Sequence, residues 1–106
     1  MYRQGDILIV PTTEDFHGQE VPPDNQGRVV LAIGEATGHA HAIHSNKAKL
    51  FRSGVGSEER MFLKVDGLQA VNLVHEEHAP ISLNPGRYCV IRQREYSAEE
   101  IRRVAD

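Results

Sequence analysis

The stretch RMFLKVDGLQAVNLVH, residues 60–75, decides how the chain is read. Met61, Leu63 and Val65 recur with the two-residue period that places side chains on one face of a strand. Asp66-Gly67 follows as a hairpin signal, and Gln69 to His75 reads as the return strand. Two registers are open. A two-residue turn pairs Val65 with Leu68, sets Met61, Leu63 and Val65 beside Ala70 and Val74, and turns His75 away. A three-residue loop with a bulge aligns Met61, Leu63 and Val65 with Val71, Leu73 and His75. The bulged register gathers more apolar surface on one face and is preferred.

Outward from this stretch the chain keeps the same grammar. Ile7 to Val10 is a short β-branched run between Gly5-Asp6 and Pro11, and reads as a buried strand. Thr12 to Gly27 is polar, with Gly18, Pro22, Pro23 and Asn25, and reads as a long loop. Arg28 to Ile33 is a strand closed by Gly34. Gly38 is expected to adopt a conformation that a side chain would resist. His39 to His44, Ala48 to Arg52, Ile81 to Leu83 and Tyr88 to Arg94 complete the strands. Asn84-Pro85-Gly86-Arg87 suits a type II turn. Ser97 with Glu100 forms a capping box that opens a short helix through about Val104. Short strands joined by Gly and Pro turns predict a mainly β, single-domain barrel or sandwich over residues 1–106, with a short C-terminal helix at 97–104.

Composition removes several function classes. The 106 residues are 40% apolar and 25% charged, which is globular composition. A net charge of −3 argues against general nucleic-acid binding, because neutralising phosphates needs a basic excess. No apolar run is long enough to span a bilayer, and Met1 to Asp6 lacks the apolar stretch of a signal peptide. The single cysteine, Cys89, excludes an intramolecular disulfide and is read as a small buried hydrophobe. A cytoplasmic setting is expected. The basic residues Arg92, Arg94, Arg102 and Arg103 alternate with Glu95, Glu99 and Glu100 and read as a solvated face.

The functional signal is uneven histidine placement. Of six histidines, His39, His41, His44, His75 and His78 fall in two short stretches. His39 and His41 lie two apart and share a strand face with Ile43, so both point inward and His44 outward. His75 shares parity with Val71 and Leu73. His78 follows on a turn. His39, His41, His75 and His78 are the candidate ligands, and imidazole donors suit zinc, iron, nickel or copper. Glu76 and Glu77 between them would complete the shell or act as a general base. Their spacing is not that of a zinc protease, because His78 arrives one position early.

Gly34, His39 and His41 resemble the first motif of the cupin superfamily, in which a glycine precedes an H-x-H pair on a barrel strand. The spacing is one residue shorter. Ala42-Ile43-His44-Ser45-Asn46 stands where the motif has a glutamate. Pro85-Gly86 is similar to the opening turn of the second motif, but Arg92, Arg94 and Ser97 occupy the region of its histidine. The resemblance implies a small β-barrel with inward metal ligands. It does not imply an oxygenase, and His75 and His78 come from no family motif.

Two functions follow as expectations. One is a cupin-like metal-binding β-barrel, with a metal-dependent reaction on a small polar substrate as its catalytic form. The other is a non-catalytic assembly or accessory subunit, a homo-oligomer with its histidines at an interface or in a structural role.

Overall fold

The structure, a computed structural model, describes residues 1–34, 37–54 and 59–92. Ten strands lie among them: β1 (Tyr2–Gln4), β2 (Ile7–Pro11), β3 (Gln19–Val21), β4 (Val29–Ile33), β5 (Ala40–Ile43), β6 (Ala48–Ser53), β7 (Arg60–Val65), β8 (Val71–Val74), β9 (Ile81–Leu83) and β10 (Gly86–Arg92). They form two antiparallel sheets. One runs β1-β2-β10-β7-β6-β3 and the other β4-β5-β8-β9. Among the described residues both sheets are open at their edges, so the mainly β expectation holds while these strands close no barrel. The helix expected at 97–104 lies outside the described residues. Among those described, no helix is long and apolar enough to cross a membrane.

The run Ile7-Leu8-Ile9-Val10 shows how the layers arise. All four residues are buried, which alternation with polar residues would not allow. Ile7 and Ile9 face the space between the sheets, with Val29, Ile43, Leu63, Val65, Val71, Leu73 and Leu83. Leu8 and Val10 face the opposite way, with Phe62, Cys89 and Ile91. That outer layer is covered in part by Phe16, whose ring stacks on Phe62 at 4.4 Å. Cys89 is 2% exposed, and burial pushes its thiol pKa upward against the opposing pull of Arg60. It is the packed small side chain read from the sequence.

The hairpin expected at Asp66-Gly67 does not form in either register. β7 pairs with β6 and β10, while β8 pairs with β5 and β9. The chain crosses from one sheet to the other at residues 66–70. Leu63 and Val65 do meet Val71 and Leu73, but across the core and not along a ladder. Alternation states which face is apolar, and a face can be buried by the facing sheet as well as beside a neighbouring strand.

Other boundaries move as well. β5 starts at Ala40 and β8 stops at Val74, so His39, His44 and His75 flank strands instead of lying in them. Gln19–Val21 is a strand inside the expected loop and pairs with β6. Tyr2–Gln4, not read as a strand, pairs with β2 around Gly5-Asp6. Gly5 has φ +61° and Asp6 has no positive φ, which fits the two-residue turn with glycine first. Gly38 takes φ +71°, as expected. Gly86 has φ +153°, not the value near +80° of a type II turn, and opens β10 opposite Val65.

Candidate metal centre

Pairing of β5 with β8 brings the two histidine stretches together. Ala42 lies opposite Val74 and Ile43 opposite Leu73. Extending that register past the last pair sets His41 opposite His75 and Ala40 opposite Glu76. The ladder ends there because Glu76 substitutes its side chain for backbone: its carboxylate accepts the Ala40 N–H at 2.9 Å. Burial pushes the Glu76 carboxyl up, but the N–H groups of Glu76 and Ala40 and the nearby His39 and His75 outweigh it and hold it below its ordinary pKa. The group is therefore an anion at neutral pH.

Ligand atoms of His39, His75 and Glu76 lie within 4.8 Å of one another. An ion held at about 2.0–2.2 Å needs its donors somewhat closer than that, within reach of small side-chain rotations. Among the described residues the buried Nδ1 of His39 has no hydrogen-bond partner; Glu77 Oε1 stands 3.3 Å away but falls short of hydrogen-bond geometry. An orphaned nitrogen beside an anionic carboxylate fits a cation seat. His75 is less ready, because its Nδ1 accepts the Glu77 N–H at 3.0 Å. Its neutral ring then carries the proton on Nε2, and holding an ion requires either that bond or that proton to be given up.

His41 and His78 belong to the cluster but not to that triad. The His41 ring lies 4.3 Å from His75 and 6.2 Å from His78, and His75 lies 4.7 Å from His78, centre to centre. His41 is 4% exposed, whereas His78 is exposed. Burial, with a smaller contribution from the charge of His75, lowers the His41 pKa to about 4; Asp6 opposes this, and His78 and Arg92 add to it. His44 is exposed, as its parity implied. Glu77 serves as a neighbour of His39 and is itself largely exposed.

A third wall comes from the β1–β2 turn, which the sequence reading missed. Gln4 is 2% exposed, and its Oε1 lies at hydrogen-bond distance, 2.9 Å, from His41 Nδ1. Asp6 Oδ1 lies 3.7 Å from His41 Nε2, and its other oxygen is 3.8 Å from Arg92. A Cβ on Gly5 would stand 2.9 Å from His78 Nε2 and 3.2 Å from His41 Cε1. The signal available was the Gly5-Asp6 dipeptide before an apolar run, a hairpin cue; nothing local said that it would end at the histidines.

Gly5→Ala is therefore expected to cost about 1–3 kcal/mol, because it adds strain at positive φ to a contact with buried His41. Gly27→Ala is the control, since Gly27 has φ +77° and nothing within 4 Å of its added Cβ. Urea denaturation should show the larger loss at Gly5. Equal losses would mean that the histidines do not press on the turn.

The fold and this cluster define a two-sheet β protein with histidines gathered at one end of the smaller sheet. Residues 3–93 match the family Domain of unknown function (DUF8820), and the chain belongs to that family. No curated protein and no solved structure matches the chain.

Proposed function

We propose that this chain binds one transition-metal ion through His39, His75 and Glu76. The observation that carries the reading is the convergence of their ligand atoms within 4.8 Å. Two imidazoles and a carboxylate suit zinc, iron, nickel or copper better than calcium or magnesium. Three protein donors leave room for a water or small polar substrate, to which the ion would supply Lewis acidity. Glu77, beside His39, is placed to orient that ring or to take a proton. The cupin-like character belongs to this proposal as well, resting on Gly34, His39 and His41.

A second reading is favoured by one observation: Ile33, on edge strand β4, is 56% exposed. An apolar side chain on an edge that no other described strand covers is a place where a second copy could add. In that reading the ion, or the histidines alone, would serve an oligomer without catalysis.

Titration of the chelator-treated, untagged protein with cobalt(II) and zinc(II) tests both. An internal site takes up about one ion per chain, with cobalt giving the visible absorption of a low-coordinate nitrogen and oxygen site. A site shared on a symmetry axis takes up about a half or a third. No uptake of either ion overturns the metal reading.

A further inference from the structure

We propose that Gln4 is a positioning residue for this cluster, fixing His41 as the Nδ1–H tautomer so that Nε2 is the one donor atom its ring can offer. The inference deepens the metal reading and rests on it only for what Nε2 would donate to.

The Gln4 side-chain nitrogen donates to two backbone carbonyls, Leu73 O at 2.9 Å and Ala79 O at 3.0 Å. Carbonyl oxygens only accept, so both amide hydrogens are committed there. The amide oxygen then has one orientation, toward His41 Nδ1 at 2.9 Å. An oxygen and an unprotonated ring nitrogen at that distance would be two acceptors with no proton between them. His41 Nδ1 must carry the hydrogen. Turning the amide over would satisfy His41 in its other form, but would aim the oxygen at two carbonyl oxygens. In a site where Gln4 and His41 are both almost fully buried, that arrangement leaves oxygens facing one another with no hydrogen between them, shielded from bulk solvent.

Nε2 of the neutral ring is thus a lone pair, on the side of Asp6. Side-chain partners that set the tautomer of a ligating histidine do so in this way, by holding the far nitrogen. The same amide also ties together the pieces of the site. Leu73 lies in β8 and Ala79 ends the turn carrying His75, Glu76 and His78, while Gln4 itself belongs to β1. One side chain therefore registers the hairpin, β5 and the turn after β8 against each other. The opposite tautomer on His75, with its proton on Nε2, makes the two facing rings chemically unlike. His41 offers an electron pair at Nε2 without moving a proton, whereas His75 must give up a hydrogen bond or a proton first.

The test is a long-range proton–nitrogen correlation spectrum of the full chain with 15N-labelled histidine, free of metal and at neutral pH. The His41 signals are assigned by their absence in His41→Gln. The expected pattern is a protonated Nδ1 and an unprotonated Nε2. Gln4→Leu, if folded, should move His41 to the Nε2–H form or a mixture. A protonated Nε2 in the unmodified protein overturns the proposal, as does an unchanged pattern in folded Gln4→Leu. If Gln4→Leu does not fold, the unmodified spectrum alone decides. The expected tautomer without any zinc uptake would sustain the role of Gln4 while removing the metal reading.

Discussion

Replacing His39, His75 or Glu76 by alanine, one at a time, is expected to weaken zinc or cobalt binding by at least about 100-fold. Zinc held by a full set of protein donors is worth about 10–16 kcal/mol, so one donor accounts for about 3 kcal/mol, or two decades of affinity. The three residues are not equivalent in other respects. Glu76 also caps the ladder through Ala40 N–H, so its loss should lower stability in the metal-free protein, whereas His39 makes no hydrogen bond through its buried Nδ1. Glu77→Ala, which removes a neighbour of His39, should cost about 10-fold. His17→Ala and His44→Ala, both at exposed positions, are the controls and should bind as the unmodified protein does. Competition titration against a chromophoric chelator measures all six. Affinity that is the same across the series would place any bound ion elsewhere on the surface, and the proposed centre would have to be abandoned.

The metal-free domain is also expected to lose stability as pH falls from about 6.5 to about 4. His41 has its pKa lowered to about 4 in the folded chain from an ordinary 6.5. Between those values the unfolded chain binds a proton that the folded chain refuses, so acid favours unfolding. The stabilisation is complete above 6.5 and disappears as pH approaches 4, with a full amplitude on the order of 3 kcal/mol. Burial of the ring is the main cause, and charged or titratable neighbours on three sides adjust it: His75 and His78 beyond β8 and Arg92 at the end of β10 lower the pKa further, while Asp6 in the β1–β2 turn raises it. Urea midpoints at pH 7, 5.5 and 4 should therefore fall in the unmodified protein more than in His41→Gln, whose amide can still donate to Gln4. Parallel curves would show that His41 titrates normally and that the buried ring is solvated. Glu14, Asp24 and Glu76, whose pKa values are lowered by hydrogen bonds, contribute a separate loss at lower pH, below the ordinary carboxylate range.

Much of this site could be read from residue spacing. The two-residue separation of His39 and His41, with Ile43 beyond, placed His41 inward and His44 outward, because strand side chains alternate whatever the strand pairs with. The same reasoning could not rank the histidines as donors. It named His39, His41 and His75, with His78 as a fourth candidate, while the structure groups His39 and His75 with Glu76 and sets His41 against Gln4. That division depends on which rings meet across the end of a ladder, and on a buried glutamine whose partners lie 37, 69 and 75 positions away.

The hairpin at Asp66-Gly67 marks the same boundary. Locally the dipeptide and the flanking apolar residues are hairpin chemistry, and the apolar face they define is correct. What the chain does next is decided by competition among strands. β7 is taken on one side by β6 and on the other by β10, so β8 has no free edge of β7 to join and completes the smaller sheet with β5. That choice brings His75 and Glu76 to Ala40 and His41.

By itself the sequence determined that the protein is mainly β, which faces of its strands are apolar, and that its histidines gather in two short stretches. Those properties follow from local periodicity and residue chemistry. Only the tertiary structure decided which strands are neighbours, that the β1–β2 turn closes over the histidines, and which ring atoms are available. Those are set by long-range pairing and by the requirement that every buried donor and acceptor find a partner.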